Sequence, residues 1–177
     1  MNPFSSIPAA IDDLTRGKML IVVDDPKREN QGDVIFPAQT VTAKKINMLN
    51  QQCHGQICVT ITALKAARLD IPLMVSSYMN TEATRLQFTI SIDAKKVNSF
   101  GISAKDKAKT IRLLSEKNAN PADFVRPGHV FPIIEASGGL AKRQGHTEAT
   151  LALCRLAGFD PVGVLCEVLD KRGEPAD

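Results

Sequence analysis

A run of five apolar residues, MLIVV at 19–23, breaks abruptly into DDPKRENQGD at 24–33. An apolar run of that length reads as a buried strand. The carboxylates of Asp24, Asp25, Glu29 and Asp33 therefore fall at a strand end or in the loop after it. Carboxylate oxygens suit Mg²⁺ or Mn²⁺. Crowded carboxylates also repel, which raises the pKa of one of them toward the range of a general base. Arg28 in their midst can hold a substrate oxyanion or offset the local charge. The alternative for this segment on charge content alone is a solvated polar turn.

Strand and helix signals alternate along the rest of the chain. Residues 6–16 read as a short helix, with Pro8 in its first turn and Gly17 as its stop. Residues 34–36 resume a strand. Thr42 caps a helix carrying Ile46 and Leu49. Residues 57–62 form a strand, and a helical stretch over 62–69 ends before Pro72. Residues 86–93 alternate, with Phe88, Ile90 and Ile92 on one face and Thr89, Ser91 and Asp93 on the other. Ser103 starts a helix through Ile111 and Leu114. Thr147 opens a helix closed by Gly158, and residues 163–169 form a last strand ending near Glu167. The helices do not follow strands in strict βαβ order. This predicts an α+β fold, a single domain over 1–177 with a mixed β-sheet flanked by helices.

A net charge of +3 and a charged content of 23% are ordinary for a globular protein. No Lys/Arg tract, zinc-finger spacing or aromatic-basic repeat points to nucleic acid. The N-terminal residues do not read as a signal peptide, and no apolar stretch is long enough to span a bilayer. The four cysteines, Cys53, Cys58, Cys154 and Cys166, are expected to be reduced thiols in a cytoplasmic protein.

A second segment, RQGHTE at 143–148, places arginine, glycine and histidine at a predicted helix start. The first N–H groups of a helix lack intrahelical partners and bind anions. Arg143 adds a donor fork, Gly145 permits close backbone approach, and His146 is a possible metal ligand. The plainer alternative is an N-cap at Thr147 beside an exposed Arg143. The Pro-Gly turn signal at 127–128 predicts that His129 stands on a loop, where it can move protons. Cys53, His54 and Cys58 lack a second Cys/His pair at zinc spacing, so Cys58 reads as a packed or site-lining thiol.

Taken together, these strings resemble the 3,4-dihydroxy-2-butanone 4-phosphate synthase family of riboflavin biosynthesis. The matching segments also include Gly101 to Ala104, DFVRPGHVFP at 123–132, GHTEA at 145–149 and GVLCE at 163–167. They run in family order from about residue 7 to residue 170. The resemblance implies conversion of ribulose 5-phosphate to L-3,4-dihydroxy-2-butanone 4-phosphate and formate with a divalent cation, Mg²⁺ or Mn²⁺. It implies Glu29 and His146 as metal ligands. Arg28, Glu29, Asp33, Arg143, Gln144, Gly145, His146 and Thr147 match substrate-binding positions. His129 and Glu167 match proton-transfer positions, and Asp24 and Cys58 match positions lining the site. It further implies a homodimer with sites at or near the subunit interface, no membrane and no nucleic-acid partner.

Several positions depart from the family pattern. Gln31 stands where the family carries glutamate, and an amide cannot act as a base. Ser99-Phe100-Gly101 replaces Thr-Thr-Gly, which is expected to alter the pocket. Arg85, Leu86 and Gln87 replace a glycine-bearing loop segment, which is expected to stiffen it. Lys107 replaces an arginine, and the stretch after Glu167 is shorter than in family members. Two readings follow: a working synthase or close variant on another sugar phosphate, and a non-catalytic paralogue that binds a sugar phosphate or a partner. The intact Glu29, His129, His146 and Glu167 favour the first.

Overall fold

Local chemistry starts most of the helices. In this computed structural model, which describes residues 4–25, 27 and 30–176, four helices begin at hydroxyl caps. Ser6 accepts from Ala9 N before α1 (Ile7–Thr15), and Thr42 accepts from Lys45 N before α2 (Ala43–Met48). Thr62 and Ser103 do the same for α3 (Ala63–Arg68) and α4 (Ala104–Ser115). Each cap satisfies an N–H that has no carbonyl behind it.

The strands are β1 (Leu20–Val23), β2 (Gly32–Pro37), β3 (His54–Ile61), β4 (Gln87–Phe88), β5 (Ile92–Ala94), β6 (Phe124–Ile134) and β7 (Val162–Val168). They form one mixed sheet in the order β1-β2-β7-β3-β6-β4, with β5 also paired to β6. The β3–β6 pair is parallel and the other pairs are antiparallel. This is the expected α+β architecture.

Alternation along the strands sends side chains to two different cores. Phe36, Val59, Ile61 and Val164 pack with Ile46 of α2, Ala66 of α3 and Ile111 of α4. Ile35, Cys58, Ile133 and Leu165 point the other way, toward Leu153 of α5 (His146–Leu156). Removing a fully buried Ile or Leu from either core, as in Ile111→Ala, costs about 2–5 kcal/mol.

Four sequence expectations need correction. β1 is an end strand, and it is not buried: Ile21 is 67% and Val23 45% exposed. One face of it packs, through Leu20 and Val22. The alternating stretch at 86–93 splits into β4 and β5, which pair with different parts of β6. Its polar face is not solvated. Thr89, Ser91 and Asp93 are buried, because Thr89 donates to Pro132 O and α4 packs over β5, where Thr110 Oγ1 accepts from Ala94 N. The residues around Pro127 lie inside the eleven-residue β6 rather than in a turn. The β5–β6 register shifts between Ile92 and Asp93 beside them, and an irregular ladder tolerates a residue that cannot donate. Finally, α5 begins at His146, one residue before the expected start at Thr147, with Gly145 as its N-cap.

Candidate active site

On the α5 face of the sheet, the ends of β2 and β7 meet the first turn of α5 around a cavity of about 190 Å³. Asp33, Cys58, Arg143, His146, Thr147 and Glu167 all line it, above a floor that includes Ile133 and Leu165. Asp33 and Glu167 are direct cross-strand partners, so register puts two carboxylates side by side on one face. Like charges in that position repel unless a cation or a proton lies between them. His146 answers part of this: its Nδ1 lies 3.3 Å from Asp33 Oδ1, with both side chains nearly buried. A larger groove of about 740 Å³ lies between α1, β1 and α5, but its described lining is apolar apart from Ser5. It offers no convergent chemistry.

Arg143 enters the cavity already oriented. Its Nη1 donates to Glu148 Oε2 at 2.8 Å, and its Nη2 donates to Thr84 Oγ1 at 3.0 Å. Glu148 is 1% exposed, and its other oxygen accepts from Ala136 N at 2.8 Å. A buried carboxylate so paired is costly to strand. Gly145 is required for this approach: a Cβ there would come within 2.4 Å of Arg143 Nη1. The N–H groups of His146, Thr147 and Glu148 open α5, whose first closed bond runs from Ala149 N to Gly145 O. Thr147, expected as a cap or substrate ligand, is buried at this helix start and lines the cavity. Gln144 is exposed and is not among the described lining residues.

Cys58 is a lining thiol, and burial together with the nearby Asp33 charge pushes its pKa up to about 12. It therefore stays protonated and is a poor soft-metal ligand. All four cysteines are buried and free of disulfides. Asp24 lies at the base of the acidic loop, where its Oδ1 accepts from Gln31 N at 2.9 Å; it is not among the described lining residues. Gln31 does line the cavity. The expected ligands Arg28 and Glu29 lie outside the described residues. Among the described residues no three His, Cys, Asp or Glu side chains form a complete metal-ligand group. Even so, the donors present fit a small hard cation: two adjacent carboxylates, one imidazole and no thiolate.

His129 stands elsewhere. It lies in β6, with its N–H donating to Asp93 Oδ1 at 3.0 Å and its Nδ1 2.7 Å from Asp93 Oδ2. It is not on a loop, as the Pro-Gly signal suggested, because the β5–β6 ladder claims this stretch. Gly101 packs against the Asp93 carboxylate with φ +91°, and a Cβ there would come within 1.9 Å of Asp93 Oδ2. Phe100 is 93% exposed and is not among the described residues that line this cavity. Arg126 holds structure: it donates to the carbonyls of Leu69 and Asp70, just past α3.

The family model for 3,4-dihydroxy-2-butanone 4-phosphate synthase matches residues 8–177. The chain belongs to this family. The 3,4-dihydroxy-2-butanone 4-phosphate synthase of Syntrophotalea carbinolica is 43% identical over 98% of this chain and 79% of that protein. The monofunctional riboflavin biosynthesis protein RIBA 2 of Arabidopsis thaliana is 47% identical over 98% of this chain, which spans 36% of that protein's length. A crystal structure of 3,4-dihydroxy-2-butanone 4-phosphate synthase in complex with two magnesium ions superposes with a TM-score of 0.90 at 40% identity, over 94% of this chain and 77% of that one.

Three residues of this synthase-family chain escaped the sequence reading. Asp93 orients His129, Glu148 orients Arg143, and Thr84 meets Arg143 from the opposite side. Glu148 sat inside the motif at 143–148 without a role assigned to it. A carboxylate on the predicted polar face of an alternating strand was the available signal for Asp93. Thr84 had no signal, since its partner lies 59 residues away.

Proposed function

We propose that this chain converts ribulose 5-phosphate to L-3,4-dihydroxy-2-butanone 4-phosphate and formate in riboflavin biosynthesis, with Mg²⁺ or Mn²⁺ held by Glu29 and His146. The observation that carries this reading is the convergence of Asp33, Glu167, His146 and Arg143 on one cavity at a helix start. When bound, the cation supplies Lewis-acid polarisation of the sugar's carbonyl and hydroxyl oxygens. Arg143 and the opening N–H groups of α5 seat the phosphate, with Gly145 and Thr147 shaping the seat. Arg28 and Gln144 complete the substrate contacts. Asp33 contacts the sugar, Glu167 exchanges its protons, and Cys58 and Asp24 shape the site.

Pairing of His129 Nδ1 with Asp93 Oδ2 leaves Nε2 as the ring nitrogen that can meet a substrate. The ring lies outside the described cavity lining. We therefore place its action in a cytoplasmic homodimer, in which His129 reaches the cavity of a neighbouring copy. No helix among the described residues is long and apolar enough to cross a membrane.

Gln31 in the cavity wall supports a second reading, a relative acting on another sugar phosphate or binding one without turnover. Formate release from ribulose 5-phosphate with Mg²⁺ decides between them. Stoichiometric formate supports the synthase. Tight binding of the sugar phosphate with no formate under Mg²⁺ or Mn²⁺ supports the second reading.

A further inference from the structure

The loop at 80–86 is tied to the phosphate seat by a directed chain of hydrogen bonds. Glu82 organises it: Oε1 accepts from Thr84 N at 3.0 Å and Oε2 accepts from Leu86 N at 2.8 Å. Those N–H groups hold the Glu82 carboxyl below its usual pKa. The same Oε2 accepts the Thr84 hydroxyl proton at 2.8 Å. With that proton committed, Thr84 Oγ1 turns a lone pair outward, and Arg143 Nη2 donates to it. Glu148 holds Nη1 from the other side. Two acceptors on separate segments thus define the guanidinium plane, leaving the remaining N–H donors of the fork for an anion. Leu86 of the same segment and Phe88 of β4 just after it line the cavity.

We propose that Thr84, aligned by Glu82, is a positioning residue that sets the orientation of the Arg143 guanidinium toward the substrate phosphate. This rests on Arg143 seating the phosphate, as argued above. Thr84 touches Arg143 rather than the sugar, so it acts on affinity for the phosphorylated substrate more than on the bond-breaking steps. Its effect requires the planar fork. A lysine at position 143 presents a point charge and cannot span Glu148 and Thr84 together.

The test is a double-mutant cycle on the full chain, with binding measured by calorimetry for ribulose 5-phosphate without divalent cation, so that it is not turned over, and for inorganic phosphate in Mg²⁺. Thr84→Val is expected to weaken both ligands by about five- to tenfold, within the range for the loss of one intramolecular hydrogen bond. KM for the sugar phosphate rises by a similar factor and kcat changes less. Thr84→Ser restores affinity. In the Arg143→Lys background, Thr84→Val adds less than about twofold. Unchanged affinity in Thr84→Val overturns the proposal, as does an equal loss in both backgrounds, which marks general loop damage. If Arg143→Ala and Arg143→Lys both bind like the parent, the phosphate-seat reading itself fails. If they weaken binding while Thr84→Val does not, that reading stands and the role of Thr84 falls. Should Arg143→Ala not fold, Arg143→Lys carries the comparison alone.

Discussion

The imidazole of His146 is 10% exposed and faces Asp33 across a cavity that also holds Glu167 and Arg143. That of His129 is 41% exposed and is held by Asp93, whose side chain is 4% exposed. The first corner is built by convergence. Strands β2 and β7 bring Asp33 and Glu167 together, and the start of α5 sets His146 beside Asp33 and pairs Arg143 with Glu148. The second is built by orientation: one buried carboxylate fixes a ring that stays open to its surroundings. A seat for an anionic sugar and a cation needs several preset charges in a small volume. A proton-transfer group needs a defined tautomer and access.

Arg143→Ala attacks the convergent corner and is expected to have the largest effect. It leaves Glu148 buried with Ala136 N and no countercharge. Stability should fall by about 2–3 kcal/mol in urea unfolding, less than for a fully buried pair because Arg143 is partly exposed. Formate release should fall by about 100-fold. A variant that unfolds like the parent would show that convergence here is incidental.

The oriented corner is tested by complementation. His129→Ala and His146→Ala, each inactive alone, are expected to recover formate release when co-expressed, since a mixed dimer holds one site with both histidines. No recovery, with mixed dimers verified by mass, would place His129 in the cavity of its own chain.

A smaller effect is expected from Asp93→Asn. It keeps the shape of the corner while removing the charge that holds His129 Nδ1–H. The expected outcome is about 30-fold lower kcat, less than the hundredfold or more lost when an acid–base group itself is removed, with KM little changed. A change confined to KM would make Asp93 part of the binding corner instead.

Gln31→Glu adds a carboxylate to the cavity wall near Asp33. Metal affinity and turnover should rise several-fold, because a carboxylate attracts a divalent cation more than an amide does. No gain would direct attention to the 85–87 segment.

The smallest effect concerns pH. Burial pushes Cys58, Cys154 and Cys166 up to about 12 from an ordinary 9.0. The unfolded chain releases these protons first as pH rises. The stability they contribute is therefore complete below about pH 9 and is lost as pH climbs toward 12. Alkaline unfolding should show this loss, and Cys154→Ala should reduce its steepness.

Four helix starts were legible because each depends on neighbours three residues apart. Thr42 and Ser103 cap as read, and Ser6 and Thr62, read as the first residues of their helices, are the caps just before them, whereas α5 starts earlier than read. The site was legible as a set of residue types. Asp33, Arg143 and His146 stood out as charged or ionisable groups beside an apolar run and at a predicted helix start, whereas Glu167 and Thr147 were marked as site residues by the family resemblance. The exposure of β1 was not legible, since burial of an apolar run depends on whether both faces are covered.

By itself, the sequence determined the helix caps, the alternation that separates the two cores, and the chemical vocabulary of the site. Tertiary structure alone decided which of these groups meet. The β2–β7 register set Asp33 against Glu167, the β5–β6 ladder drew Pro127 and His129 into a strand, and Thr84 reached Arg143 across 59 residues. The physical reason is range. Caps and periodicity act over three or four residues, whereas the pairing of distant strands is settled by burial and hydrogen bonding over the whole sheet.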